Sequence, residues 1–227
     1  MEQADSTCWT VIGAAAAGAS DSRENFARRY GPVVRAALAA RWQSSPCLQE
    51  LDDAVQEVFV ECFKQGGILD RVERGRPGGF RAFLYGVIRN VAFRFERSRA
   101  QARERQPSSG QDLDQVQRHE KSLSWVFDSA WARTLLREAA ILMEQRARDG
   151  GEAACRRVEL LRLRFRDGLP IREIAGRWQT DAAVVHHEYA RARQEFKAAL
   201  LEIVAFHHPG SAAEIEQECA NLLVLLS

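Results

Sequence analysis

The stretch Gly168–Arg193, GLPIREIAGRWQTDAAVVHHEYARAR, limits the fold more tightly than any other part of the chain. Ile171, Ile174, Ala175 and Trp178 recur at helical spacing and mark one face of a short helix. Pro170 suits the start of that helix, where a missing backbone N–H costs nothing. Gln179 and Thr180 interrupt the pattern. Asp181 then offers its carboxylate to the free N–H groups of a second helix, whose buried face is Val185, Tyr189, Ala192 and Phe196. A turn this short makes the two helices cross steeply, which is the helix-turn-helix arrangement, and its second helix can lie in a DNA major groove. An ordinary helical hairpin would show the same pattern, because a fold does not carry function by itself. On the polar face, His186, His187, Arg191 and Arg193 could meet phosphates or base edges, whereas Glu188 and Glu195 would be repelled by a duplex.

The helical period runs through the rest of the chain. Asp21 or Ser22 caps a helix carrying Phe26, Tyr30, Val33, Val34, Ala37, Leu38 and Trp42, which Pro32 should end, restart or bend. Leu51–Phe63 is strongly amphipathic, with Leu51, Val55, Val58, Phe59, Cys62 and Phe63 on one side and Asp52, Asp53, Gln56, Glu57 and Glu61 on the other. Gln65–Gly79 is a glycine-rich loop holding Arg71, Arg74 and Arg76. Phe80–Arg97 keeps an apolar stripe of Phe80, Phe83, Leu84, Val87, Ile88, Val91 and Phe95. Its other side carries Arg81, Tyr85, Arg89, Asn90, Arg94 and Arg97, a set suited to a nucleic-acid strand: arginine for phosphate, tyrosine for stacking, asparagine for a base edge.

Ser98–Ser124 turns polar and reads as a linker. A helix with Trp125, Phe127, Trp131, Leu135, Leu136, Ala139, Leu142 and Met143 follows, with Asp128 as a candidate cap. Another carries Val158, Leu160, Leu161, Leu163 and Phe165 and closes at Gly168. After a break at His207–Gly210, Ala212–Leu226 forms a last amphipathic helix whose apolar face should pack on the second domain or on a partner. The fold class is therefore all-α, with two small helical domains joined by a flexible linker. The segments are 1–22, an N-terminal stretch; 23–105, the first domain; 106–124, the linker; 125–204, the helix-turn-helix domain; and 205–227, a C-terminal helical extension.

Formal net charge is +1, from 32 basic and 31 acidic residues, so any nucleic-acid surface must be local and the acid concentrated elsewhere. Cys8, Cys47, Cys62, Cys155 and Cys219 are scattered without a C-x-x-C pair, which argues against a disulfide framework or a cysteine zinc site. The adjacent pairs His186-His187 and His207-His208 point apart on a helix and make poor metal ligands. No metal and no cofactor are expected. No apolar run reaches the length that spans a bilayer, and no signal peptide is visible, so the expected location is cytoplasmic, away from membrane.

Three motifs in order resemble one family. Asp53-Ala54-Val55-Gln56-Glu57-Val58-Phe59 is similar to the D-L-V-Q-E-V-F segment of bacterial sigma-70 factors. Phe80-Arg81-Ala82-Phe83-Leu84-Tyr85-Gly86-Val87-Ile88-Arg89-Asn90 resembles their F-R-x-W-L-x-x-I-A-R-N. Leu169–Arg193 resembles their region 4 helix-turn-helix, with Glu173-Ile174-Ala175, Val185 and Arg191-Ala192-Arg193 in register. The chain thus looks like a small extracytoplasmic-function (ECF) sigma factor, built from regions 2 and 4. The resemblance implies a non-enzymatic protein that binds core RNA polymerase through Asp53, Gln56 and Glu57. It implies −10 contacts by Arg74, Arg76, Tyr85, Arg89, Asn90, Arg94 and Arg97. It implies −35 contacts by Arg172, Ala183, His186, His187, Arg191 and Arg193. Partners are core polymerase, promoter DNA and, as a further option, an anti-sigma factor or another regulator.

Two departures stand out: Gln179 occupies a turn position where the family usually has glycine, and His186 and Glu188 stand where it usually has lysine and arginine. Other classes stay open. A helix-turn-helix regulator acting without polymerase would leave the Asp53-Gln56-Glu57 segment unexplained. A metal-dependent hydrolase using Asp52, Asp53 and Glu57 would lack a nucleophile–base pair.

Overall fold

A computed structural model describes residues 20–64, 79–103 and 113–225. Among them lie eight α-helices, one 3₁₀ turn and no strand, an all-α fold. The helices are α1 (Ser20–Trp42), α2 (Leu51–Phe63), α3 (Gly79–Arg103), α4 (Leu113–Asp149), α5 (Glu152–Phe165), α6 (Ile171–Arg177), α7 (Ala182–His207) and α8 (Ala212–Val224), with the 3₁₀ turn at Pro46–Glu50. They divide into two compact units. The first takes the described residues up to Thr134 together with those from Ala205 on, and the second is Leu135–Val204.

The first unit is built on aromatic packing. All seven apolar residues read from the sequence onto α1, from Phe26 to Trp42, are buried. Phe26 meets the edges of Tyr30, Phe63 and Phe80 at 4.7, 5.2 and 5.8 Å between ring centroids. Tyr30 also stacks on Trp131 of α4 at 5.8 Å. Pro32 sits inside α1 and does not interrupt it. A proline in a helix interior costs about 3 kcal/mol. Its neighbours Tyr30, Val33 and Val34 are fully buried, and burial is worth about 1.5–3 kcal/mol per large apolar side chain, so packing wins. Around this core, Glu96 of α3 accepts from Arg41 Nε and NH2 at 2.5 and 2.8 Å and from Trp42 Nε1 at 2.9 Å. Arg99 reaches Glu50, donating from Nε at 2.6 Å.

The stretch read as a linker up to Ser124 is helical from Leu113 onward. Residues 113–121 are polar but hold neither glycine nor proline, and most are sound helix formers. Polarity here does not mark a break in the helix. Asp128 consequently lies mid-helix and caps nothing; its carboxylate accepts from Arg81 Nε of α3 at 3.0 Å instead. Trp125, read as core, is 59% exposed.

The C-terminal extension packs within the first unit. The Tyr30 hydroxyl and His207 Nε2 lie 2.8 Å apart in a buried hydrogen bond, and the Trp131 ring meets the imidazole edge-on at 5.3 Å. Ser211 and Glu214 form a reciprocal capping box that starts α8. Glu218 then pairs with Arg81 at 3.4 Å, and the Ser129 hydroxyl donates to the Leu225 carbonyl at 3.4 Å. The face expected to pack on the second domain or on a partner packs on α3 and on α4 at Ser129, a residue that the sequence places in the second domain and the structure in the first unit. The pairing groups lie too far apart in the chain for local periodicity to register them.

In the second unit, Leu160, Leu163, Ile174, Ala175 and Val185 form the core, rimmed by Leu169, Ile171, Trp178, Ala182 and Tyr189. Phe165, at the end of α5, is 73% exposed. Gly168 (φ +69°) supplies the turn into α6. At the other end of α6 the Thr180 N–H donates to Ala175 O at 3.0 Å and the Gln179 N–H to Gly176 O at 3.2 Å, a Schellman closure. Gln179 occupies its left-handed position at φ +50°. Asp181 caps α7 as the sequence indicates, accepting from the Ala183 N–H at 2.6 Å.

Two outcomes follow from these helix ends. Gln179→Gly should stabilise the protein by about 1 kcal/mol, since the left-handed penalty disappears; chemical denaturation reads it, and a loss of stability would contradict the strain. Bonds from the Ser211 backbone N–H and hydroxyl hold the Glu214 carboxyl below its ordinary value of 4.5. A depressed carboxylate stabilises the fold above the unfolded value and loses that contribution as pH falls through the folded one. Protection of the Glu214 and Ile215 amides against hydrogen exchange, relative to the intrinsic rate at each pH, should therefore fall below about pH 4.5, and Glu214→Gln should remove that dependence.

Candidate nucleic-acid interface

The exposed stripe of α3 follows from its helical period. Because Phe80, Phe83, Leu84, Val87, Ile88, Val91 and Ala92 turn inward, Arg89, Asn90, Phe93 and Arg97 share the outer side. Phe93 is 43% exposed, with the Arg41 and Arg89 guanidiniums 4.7 and 5.4 Å from its ring centroid. Tyr85, the aromatic picked out by sequence, is half-buried and leans on Phe127 at 5.1 Å. The exposed ring on the basic stripe is thus Phe93, which sequence reasoning passed over. Its spacing of four from both Arg89 and Arg97 was the available signal.

The acidic edge of α2 lies beside this stripe. Asp53 and Gln56 are exposed and Glu57 is half-exposed. Arg94 of α3 donates to Glu61 at 2.8 Å and to Glu57 at 3.2 Å. The acidic and basic surfaces therefore meet at Arg94. Pairs this exposed contribute about 0–1 kcal/mol, so Arg94 is countered rather than locked. Asp52 is bonded by Arg35. Cys62, on the inner side of α2, is buried, and burial with the nearby Glu61 charge pushes its thiol up to about 12. Arg74 and Arg76 lie outside the described residues.

Residues 26–102, about a third of the chain, match the family model for sigma-70 region 2. Over this stretch the chain is similar to region 2 of the sigma-70 family. The matched span begins at Phe26 in α1 and ends within α3, so it contains both the acidic edge of α2 and the Phe93 stripe. A match to sigma-70 region 2 supports a sigma factor's role in promoter recognition. No curated protein matches it.

The second unit lies outside that match. Arg172 of α6 and Ala183, His186, His187, Arg191 and Arg193 of α7 are all exposed, and Arg193 lies over the Tyr189 ring at 5.8 Å. Glu188 and Glu195, which the sequence sets against DNA, turn toward α5. Arg157, 9% exposed, donates Nε to Glu195 at 2.9 Å and NH1 to Glu188 at 3.2 Å. The bond to Glu195 outweighs burial and raises the guanidinium pKa, so Arg157 stays charged. Its role has no local sequence signal, because an arginine on α5 reads as surface until its partners are placed.

Among the described residues no group of three or more His, Cys, Asp or Glu side chains could hold a metal, and no helix is long and apolar enough to cross a membrane. The aromatic finding gives a direct test. Phe93→Ala should weaken binding to a single-stranded DNA oligomer by about 1–3 kcal/mol and leave the melting temperature unchanged. Tyr85→Ala should mainly lower melting. Fluorescence anisotropy beside thermal unfolding separates them; the reverse pattern would return the stacking role to Tyr85.

Proposed function

We propose that this protein is an ECF-type sigma factor that binds core RNA polymerase and directs it to promoters. The first unit contacts the −10 element and the helix-turn-helix of the second unit contacts the −35 element. The observation that carries the reading is the region 2 match over residues 26–102, with the exposed Asp53, Gln56 and half-exposed Glu57 on the same α2 helix. An acidic edge of this kind suits a basic partner surface, because complementary charge steers association and fixes register. On α3, Arg89, Asn90, Phe93 and Arg97 suit a melted strand: cations for phosphate, a ring for stacking, an amide for a base edge. In the second unit the outer face of α7 presents His186, His187, Arg191 and Arg193, and a helix-turn-helix reads the major groove with its second helix. Bond formation belongs to the polymerase; this chain supplies recognition.

The test is retention of core bacterial RNA polymerase by the immobilised full-length protein. Wild type should retain it. Glu57→Lys should reduce retention at least about tenfold, since a like charge across a polymerase contact costs several kcal/mol. Asp53→Lys should do the same at a position fully exposed on α2. Duplex binding by either variant should match wild type. Retention unaffected by both substitutions would overturn the α2 assignment. No retention by wild type, with duplex binding intact, would leave a DNA-binding regulator that acts without polymerase.

A further inference from the structure

Glu188 stands on the α7 helix assigned above to duplex reading, where an unmasked carboxylate would repel phosphate. Its geometry gives it another role. Glu188 Oε2 accepts from Arg157 NH1 at 3.2 Å, while Oε1 faces Arg191 NH1 at 3.7 Å. One carboxylate therefore bridges a nearly buried guanidinium and an exposed one: the Arg157 side chain is 10% exposed and that of Arg191 54%. Arg157 is itself fixed, because the two Glu195 oxygens take its Nε and NH2 at 2.9 and 2.8 Å, a paired geometry that restricts the planar group. Two arginines and two glutamates cancel in charge. The i,i+3 spacing places Glu188 and Arg191 on one helix face, so a Glu188 held from the inside limits where the Arg191 head can go.

We propose that Glu188 is a positioning residue for DNA: anchored by Arg157, it holds Arg191 toward a backbone phosphate instead of repelling the duplex. This rests on the reading of the second unit as a duplex binder. The acid that breaks the basic pattern of α7 then belongs to the binding device. It also explains how a helix with glutamate at this position approaches DNA: the negative charge is matched from inside the fold by Arg157. Arg157 is the wrong residue to remove, since a buried pair that loses one partner leaves an uncompensated charge. Glu188→Gln is mild, because Arg157 keeps both oxygens of Glu195.

The experiment measures binding of the full-length chain to a mixed-sequence DNA duplex across a salt series. Wild type, Glu188→Gln, Arg191→Ala and the double variant are compared, with thermal unfolding alongside. Glu188→Gln should weaken binding about three- to tenfold and lower the salt slope by about one, as Arg191→Ala should, because each loses the same phosphate contact. In the Arg191→Ala background Glu188→Gln should have no further effect, the signature of action through a shared partner. Tighter binding by Glu188→Gln would overturn the proposal and make Glu188 an ordinary repelling acid. Independent, additive losses would overturn it as well. Wild type that fails to bind the duplex would overturn the reading of the second unit, and the proposal with it.

Discussion

Tyr30 is where the first unit comes together. Its ring meets Phe26 of the same helix, Phe80 of α3 and Trp131 of α4, and its hydroxyl is hydrogen-bonded to His207 at the end of α7. Each aromatic pair adds about 0.5–1.5 kcal/mol beyond its burial, and the hydroxyl would be costly to bury without a partner. One side chain thus fixes the start of α3 against α1 and α4. The outer stripe of α3 is set by that placement, because a helix pinned along its inner face has no freedom to roll. The exposed stripe is in this sense a by-product of the core beneath it.

Charge is organised by the same logic. A formal excess of one positive charge is small for a DNA-binding role. Many arginines are occupied internally: Arg41 by Glu96, Arg81 by Asp128 and Glu218, Arg99 by Glu50, Arg157 by Glu188 and Glu195, Arg162 by Glu144. These pairs knit helices together and remove acid from the surface along with base. The positive character left for a nucleic acid is local, on the outer stripe of α3 and the outer face of α7. Whole-chain charge is a weak guide when ion pairing sorts residues into structural and displayed sets.

Local rules made much of this fold legible. The bounds of α2, the buried residues of α1, α3, α6 and α7, and the Asp181 cap all follow from spacing within a turn or two. The left-handed backbone at Gln179 had no local signal beyond the glycine that the resembling family usually carries there. Features that depend on distant partners were not legible. The polar run after Leu113 is indistinguishable from a linker by composition, yet it is helix. Asp128 resembles a cap until Arg81 is brought to it. Trp125 fits a core pattern and lies at the surface, because period alone does not say how wide the covered face is. At the candidate sites, residue types were readable but their allegiances were not. Arg94 sits with Glu57, Tyr85 rests on Phe127, and Glu188 is turned inward by Arg157.

The bond between Tyr30 and His207 joins residues 177 positions apart, with the whole of the second unit between them. That separation has a consequence for biosynthesis. A ribosome delivers α1, α2 and α3 first, then every residue of Leu135–Val204, and only afterwards the segment that closes over Tyr30. The contiguous unit can complete its contacts as it emerges, since its closures are short in sequence. The matched region 2 span must wait, with its aromatic cluster unfinished, until translation passes His207. Maturation of the first unit is thereby tied to synthesis of residues beyond the second unit, and a nascent fragment stalled short of His207 would present α1–α3 without their last support.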